Sequence, residues 1–244
     1  MSKVLLYSGG TDSWLIDKIW QADKKIYINI HGFYSQDEIN RLPKDVEIID
    51  FPYLGLIENK NTNFVPLRNL YFLMIASNYG DEICYGATLS DRGSKDKRIE
   101  FIEKAEDIIN YGLNGNSFAK DKKITIVKDF VKLHKFELIQ RYLDSGGTIE
   151  KFVQESFSCY HSTNGKECMS CKQCYKKFLE AYYFEYGYSE TEKKNMINYL
   201  RDEVIPLNHH EGTYFTERTG EGIFMETAVD NLFKEFGLDW RRYQ

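Results

Sequence analysis

Residues 3–20 read KVLLYSGGTDSWLIDKIW, and this stretch decides the fold. A short apolar run leads directly into a glycine-rich turn, and apolar residues then recur at helical spacing from Trp14 to Trp20. The pattern predicts a strand, a tight turn and a helix. In such a unit the N–H groups of the turn and the positive end of the helix dipole point at one position, which favours an anion there.

Strand-like and helix-like runs alternate along the next 120 residues. Further strands are predicted at 26–30, 46–50, 82–86 and 124–127, and helices at 36–42, 69–79, 98–111 and 135–143. Lys24-Lys25 is interpreted as the turn before the second strand. The alternation predicts an α/β fold with an open parallel sheet of about five strands and flanking helices.

The composition changes after Gly146-Gly147, which predicts two domains, residues 1–148 and a smaller helical region at 149–244. The 244 residues carry a net charge of −5, and 42% of them are hydrophobic, so the chain has enough apolar residues for a core. The acidic balance argues against a broad nucleic-acid surface. No apolar run approaches the roughly 20 residues of a membrane span, so we expect a cytoplasmic protein with no membrane or nucleic-acid partner.

The turn after the first strand has the residue types of a phosphate-binding loop. Its candidate binding residues are Ser8, Gly9, Gly10, Thr11, Asp12 and Ser13. Glycines let the backbone curl against phosphate oxygens, and serine hydroxyls can donate to them. Asp12 would repel a phosphate directly, so its predicted use is through Mg²⁺. The loop lacks the Gly-Lys-Ser/Thr ending of a Walker A loop and is not a dinucleotide fingerprint.

Four of the five cysteines lie within sixteen residues. Cys159, Cys168, Cys171 and Cys174 match the ligand set of a closed, structural Zn²⁺ site, while ligand type alone also allows an Fe–S cluster. A redox CxxC pair would leave two cysteines unexplained. Cys84 lies on an apolar strand and is predicted to be an ordinary core residue. His209-His210 is expected at the surface, with a second metal site as the alternative.

The loop SGGTDS resembles the PP-loop of the N-type ATP pyrophosphatases, which split ATP into an adenylate and pyrophosphate. Other stretches narrow the resemblance to the 7-cyano-7-deazaguanine synthases over roughly residues 3–185. They are VPLRN at 65–69, DKRIEF at 96–101, LHKFEL at 133–138 and SCY at 158–160 before the cysteines.

This resemblance implies an adenine nucleotide alpha hydrolase-like fold and an enzyme that uses ATP, Mg²⁺ and Zn²⁺. Its substrates would be 7-carboxy-7-deazaguanine and ammonia. The carboxylate would be adenylated and converted to an amide, and a second ATP would activate the amide for elimination to the nitrile. The product would feed deazaguanine modification of nucleic acid, as in the queuosine pathway. A homodimer is also expected.

The resemblance also matches residues to roles. The loop of residues 8–13 matches the pyrophosphate loop, and the four clustered cysteines match the zinc ligands. Arg68 and Lys135 are predicted to bind phosphates, and Asp91 and Arg98 to face the substrate, all four lining the active cleft.

Several departures from the family pattern lie near the substrate end. Residues 31–38 match it only loosely, Lys97 stands where the family has cysteine, and Leu67 stands where glycine is usual. The loop of residues 91–98 is one residue shorter, and Met169 replaces the glycine after Cys168. The adenylation chemistry is therefore better supported than the exact acceptor, and an amide-forming variant stays open.

Two other functions are weighed. A PP-loop enzyme of tRNA thiolation or lysidine formation needs a nucleic-acid surface or a catalytic cysteine pair, whereas four cysteines here match a metal site and the net charge is −5. A zinc-ribbon interaction module with a degenerate nucleotide fold would have no need to keep Asp12 in an intact loop.

Overall fold

The computed structural model describes residues 1–91, 93–114, 122–159, 161, 166–206 and 220–243. It divides into two compact units, Met1–Arg141 and Tyr142–Gln244, and this division falls before the boundary predicted after residue 148. His209-His210 lies outside the described residues. The first unit contains β1 Lys3–Leu6, α1 Thr11–Trp20, β2 Lys24–Asn29, α2 Ser35–Ile39, β3 Val46–Asp50, α3 Tyr53–Leu56, α4 Arg68–Ala76, β4 Glu82–Cys84, α5 Ile99–Leu113, β5 Thr125–Ile126 and the start of α6 Lys135–Asp144.

The five strands form one parallel sheet in the order β3-β2-β1-β4-β5, which confirms the predicted fold class. Strands β2 and β3 extend the sheet on one side of β1, and strands β4 and β5 extend it on the other side. The order therefore reverses between β1 and β4, and ligands of open α/β sheets bind at the carboxyl ends of the strands at such a point. The loops that follow β1 and β4 meet there.

The start of β2 differs from the prediction. Lys24 and Lys25 pair in register with Val4 and Leu5 and belong to the strand, not to a turn before it. The lysine side chains are accommodated because each meets carboxylates. Lys24 Nζ lies 2.8 Å from Glu47 Oε2, and Lys25 Nζ lies 3.3 Å from Asp17 Oδ2.

Apolar side chains of the sheet and its helices form the core of the first unit. Val4, Ile26 and Ile83 of the three central strands are fully buried together with Leu73 of α4 and Ile102 of α5. Cys84 is buried in β4, as predicted, and burial raises the pKa of its thiol to about 12. The central strands are apolar without strict alternation because helices cover both faces of a parallel sheet.

Side chains of α5 protect the edge strand β5. Asn110 accepts a hydrogen bond from Ile124 N at 2.8 Å through Oδ1 and donates to Ile124 O at 2.8 Å through Nδ2. Glu106 Oε2 accepts from Ile126 N at 2.6 Å. These side chains take the place of a further strand for Ile124 N, Ile124 O and Ile126 N, so these three backbone groups of the edge are satisfied.

The backbone conformation of Leu67 is one that favours glycine, the residue usual at this position in the family pattern. It precedes α4 with φ 55°, in the left-handed region, and its side chain is 61% exposed. This conformation costs a residue with a Cβ about 1–2 kcal/mol, and glycine avoids that cost. The exposed leucine recovers little through packing.

We expect Leu67→Gly to raise the free energy of unfolding by up to about 1 kcal/mol, because relief of the left-handed strain exceeds the entropy that glycine adds to the unfolded chain. Urea denaturation measures the change. The matched control is Leu56→Gly in helix α3, where the leucine is 82% exposed and glycine should lower stability by about 0.5–1 kcal/mol. Loss of stability in Leu67→Gly would show that the side chain packs.

The second unit is helical in its described residues. Its helices are the end of α6, α7 Ile149–Glu155, α8 Lys172–Tyr183, α9 Glu190–Tyr199, a π-helical turn Leu200–Val204 and α10 Gly220–Glu235. Helix α9 begins with a capping box of Ser189 and Glu192. Phe178 stacks on Tyr188 with ring centroids 4.0 Å apart. No described helix has the length and hydropathy needed to cross a membrane.

Candidate active site and metal centre

The loop between β1 and α1 lies at the carboxyl end of the central strand. Gly9 has φ 75°, whereas Gly10 is extended with φ −67° and ψ 161°, so only the first glycine needs the left-handed region. Ser13 donates from Oγ to Gly10 O at 3.1 Å and accepts from Ser8 N at 3.3 Å. These bonds fold the loop over the first turn of α1, where the helix N–H groups begin.

Asp12 and Lys135 form an ion pair beside this loop. Lys135 Nζ lies 3.3 Å from Asp12 Oδ1, and both side chains are largely buried. The contact is an ion pair, and within the described part of the chain this buried oxygen accepts no hydrogen bond. A buried carboxylate oxygen that accepts no hydrogen bond keeps its lone pairs for a cation.

Asp91, in the loop that follows β4, adds a second carboxylate. Its Oδ1 lies 3.0 Å from Lys97 Nζ, and its Oδ2 accepts from Thr88 N at 3.4 Å and from Thr88 Oγ1 at 3.3 Å. Asp91 and Lys97 also act electrostatically on Asp12. Two carboxylates and two ammonium groups therefore meet where the strand order reverses.

The pKa values of the two carboxylates move apart. Burial raises the pKa of Asp12, and Lys135 offsets this only in part while the charge of Asp91 adds to it. Burial also acts to raise the pKa of Asp91, but Lys97 and Lys135 outweigh it, so the pKa lies below its ordinary value. Opposite shifts in neighbouring carboxyl groups are typical of functional sites.

The structure brings together only part of the predicted set. Asp12, Asp91 and Lys135 interact with one another, whereas Arg68 is exposed, with its guanidinium 5.9 Å from the centre of the Phe72 ring. Arg98 is exposed at the N-terminus of α5. The roles of Arg68 on phosphates and of Arg98 toward substrate stay predictions.

Sequence reasoning recorded Lys97 only as a departure from a family pattern and missed its ion pair with Asp91. Its position in a 3₁₀ turn, Lys95–Lys97, depends on the path of the loop after β4. The one sequence signal for this ion pair is that Lys97, a cation, stands between Asp96 and Arg98 and next to a predicted site residue.

The four clustered cysteines of the second unit converge on one point. Their sulfur atoms all lie within 4.8 Å of one another, and none forms a disulfide. Cys168 Sγ lies 3.8 Å from Cys174 Sγ, which in turn lies 3.5 Å from Cys171 Sγ. Four sulfurs at about 2.3 Å from a tetrahedral ion would be about 3.8 Å apart, so the cluster fits such an ion.

Backbone N–H groups point at the sulfurs. Cys159 Sγ accepts from His161 N and from Cys168 N, each at 3.2 Å, and Cys168 Sγ accepts from Ser170 N at 3.5 Å. Burial acts to raise the pKa of Cys168, but the hydrogen bonds around the thiol outweigh it and lower the pKa to about 7. Donors of this kind stabilise thiolates, the form that binds metal.

Lys177 holds the segments that carry the cysteines. Its side chain is 3% exposed, and Nζ donates to Val153 O at 2.9 Å, to Ser156 O at 2.6 Å and to Glu167 Oε2 at 3.1 Å. Glu167 Oε1 in turn accepts from Ser158 N at 2.7 Å. The buried ammonium therefore links the end of α7 to residues next to Cys159 and Cys168.

We expect Lys177→Met to lower the free energy of unfolding by about 3 kcal/mol, because three acceptors, one buried and two half-buried, lose their donor and Glu167 loses its counter-charge. Chemical denaturation measures the loss. Lys172→Met, at an exposed position of the same helix, is the control and should change stability by about 0.5 kcal/mol or less. An unchanged midpoint for Lys177→Met would contradict the role of the buried lysine.

The fold and the loop after β1 define an α/β enzyme of the nucleotide-binding kind, with a phosphate-type loop at the reversal of strand order. Residues 44–183, more than half of the chain, match the family described as queuosine biosynthesis protein QueC. The chain belongs to this family.

Relatives named 7-cyano-7-deazaguanine synthase are similar along most of their length. The protein of Persephonella marina is 31% identical, over 72% of this chain and 92% of its own. That of Sulfurihydrogenibium sp. is 32% identical, over 70% and 90%, and that of Nitratiruptor sp. is 27% identical, over 74% and 95%.

Proposed function

We propose that this protein is an ATP-dependent ligase that converts 7-carboxy-7-deazaguanine and ammonia to 7-cyano-7-deazaguanine. Membership of the QueC family and the names of the relatives support this reaction. The single structural observation that carries it is the pairing of Asp12 and Lys135 beside a phosphate-type loop at the carboxyl end of β1. The reaction belongs to the queuosine type of deazaguanine modification.

The proposed reaction uses the loop twice. A carboxylate oxygen attacks the α-phosphorus of ATP, pyrophosphate leaves, and ammonia displaces AMP to give the amide. The amide oxygen then attacks a second ATP, and loss of AMP and a proton gives the nitrile. In both halves the N–H groups at the start of α1 bind the leaving pyrophosphate, and Lys135 offsets its charge.

Asp12 is proposed to hold Mg²⁺. The support is its buried Oδ1, which accepts no hydrogen bond within the described residues, and the nearby carboxylate of Asp91. Carboxylate oxygens are the ligands that Mg²⁺ prefers in proteins, and the ion supplies charge neutralisation to the phosphates of bound ATP.

Cys159, Cys168, Cys171 and Cys174 are proposed to hold one structural Zn²⁺. The sulfur spacing and the N–H donors to Cys159 and Cys168 support it. All four positions of a tetrahedral ion are then taken by thiolates, so the metal folds this segment and leaves no position for substrate.

The decisive experiment incubates the protein with ATP, Mg²⁺, ammonia and 7-carboxy-7-deazaguanine, and mass spectrometry follows the base. Nitrile is the expected product, with AMP and pyrophosphate formed twice per nitrile. Amide alone would identify an amide-forming variant, and neither product would refute the proposed acceptor.

A PP-loop enzyme of tRNA modification is the alternative, tested by supplying tRNA in place of the free base. The domain boundary after residue 148, the homodimer and the cytoplasmic location stay predictions. Analytical ultracentrifugation tests the oligomeric state.

A further inference from the structure

Asp12, Asp91, Lys97 and Lys135 are called the Asp12 cluster below. Lys97 is the more solvent-exposed of its two lysines. Its side chain is 29% exposed, against 12% for Lys135. An ammonium group has three N–H donors, and the ion pair with Asp91 Oδ1 at 3.0 Å needs one of them. Lys97 is therefore able to bind a further anionic oxygen while Asp91 holds it in place.

The loop that carries Lys97 is anchored on both sides. Asn69, a buried residue of α4, donates to Asp96 Oδ2 at 2.8 Å, and Tyr85 donates from its hydroxyl to Asp96 O at 3.2 Å. Lys97 N donates to Ser94 O at 3.1 Å. These bonds fix the backbone on which the ammonium stands, so its position is preorganised.

The two lysines differ in what they neighbour. Lys135 contacts Asp12 of the phosphate-type loop after β1, whereas Lys97 contacts Asp91 of the loop after β4. The loop after β1 is proposed to hold the pyrophosphate. The loop after β4 is therefore the one that faces the acceptor in this proposal. An acceptor carboxylate that approaches Asp12 and Asp91 is repelled by both, and the partly exposed ammonium of Lys97 beside Asp91 offsets that repulsion.

We infer that Lys97 binds the carboxylate of the acceptor and selects the acid in the first half of the reaction. The inference rests on the proposed function, in which the acceptor is an anion in the first half and a neutral amide in the second. A cysteine, the residue usual in the family pattern, supplies no positive charge at this position. Binding of the acid by a lysine at this position then distinguishes this chain from the family pattern.

The test compares the kinetics of the wild-type protein, Lys97→Gln and Lys97→Arg with each acceptor supplied separately. Lys97→Gln is expected to lower kcat/KM for the acid about 100-fold and for the amide by less than about threefold, since only the acid carries the charge that Lys97 meets. Lys97→Arg should recover part of the activity with the acid. Lys95→Gln, at an exposed position of the same 3₁₀ turn, is the matched control and should match the wild type with both acceptors.

Three outcomes would overturn the inference: an equal loss with acid and amide, no loss with either, or a higher KM for ATP as the sole change, which would assign Lys97 to the phosphates. If the wild-type protein forms neither amide nor nitrile, the proposed function itself fails. Thermal denaturation of each variant separates these results from loss of fold.

Discussion

Asp12→Asn is expected to lower kcat about 1,000-fold while the protein stays folded. The carboxylate is the one charged group among residues 8–13 and lies in the first turn of α1, and amide substitution removes the charge that we propose holds Mg²⁺ on the phosphates. Because removal of a single group that stabilises transition-state charge costs about 100–1,000-fold, a loss at the upper end fits a residue that acts in both half-reactions. Release of AMP and pyrophosphate measures the rate.

Stability should move in the opposite direction from activity. Burial raises the pKa of Asp12, so the folded protein carries an unfavourable charge that asparagine removes. Loss of the ion pair with Lys135 opposes this gain, and we expect the free energy of unfolding to rise by up to about 1 kcal/mol. Stability is thus given up at the site that we propose holds Mg²⁺.

The matched control is Asp17→Asn on the same helix. Asp17 is also paired with a lysine, Lys25, with its Oδ2 3.3 Å from Nζ, but it stands beyond the loop and contacts no residue of the Asp12 cluster among the described interactions. Asp17→Asn should keep full activity and lose about 1 kcal/mol of stability. Retention of more than a tenth of the wild-type rate in Asp12→Asn would contradict the metal role.

Cys174→Ser is expected to remove the proposed Zn²⁺ and unfold much of the second unit. Apparent zinc-binding free energies of about 10–16 kcal/mol are as large as the total stability of an ordinary domain, about 5–15 kcal/mol. Cys174 is buried at the start of α8, and its sulfur contacts those of Cys168 and Cys171. Loss of this ligand therefore affects every segment that meets at the cluster.

Elemental analysis and circular dichroism together test this prediction. The wild-type protein should contain about one zinc per chain, and Cys174→Ser should contain far less and lose helical signal. A chelator should lower the midpoint of thermal unfolding of the wild type. Cys84→Ala is the control, because this buried thiol lies in β4 and its loss should leave the zinc content unchanged. Iron in place of zinc, or a full zinc content in Cys174→Ser, would contradict the assignment.

Local patterns were sufficient to predict the sheet and the cysteine cluster. Residues 3–20 have the pattern of a strand, a turn and a helix, and the cysteine spacing by itself indicates that the four sulfurs bind one metal centre. The boundary of β2 was wrong because Lys24 and Lys25 have polar side chains that suggest a turn, whereas carboxylates from Asp17 and Glu47 compensate them in the strand. Such compensation depends on contacts between distant residues.

The site shows the same limit. Asp12 could be predicted from the loop sequence, but the burial of its Oδ1, which accepts no hydrogen bond among the described residues, follows from how Lys135 and Asp91 pack around it. Lys177 has no sequence signal, since a lysine in a helix is usually exposed. For Leu67 the sequence already showed the departure from glycine. Its energetic cost became clear only from the left-handed backbone angle in the structure.

The side chains of Glu106 and Asn110 also determine how the sheet can grow. They occupy Ile124 N, Ile124 O and Ile126 N, so a strand from another molecule cannot pair with these groups of β5 without displacing existing hydrogen bonds. The protein is thus protected on one flank from the edge-to-edge joining that leads to aggregation.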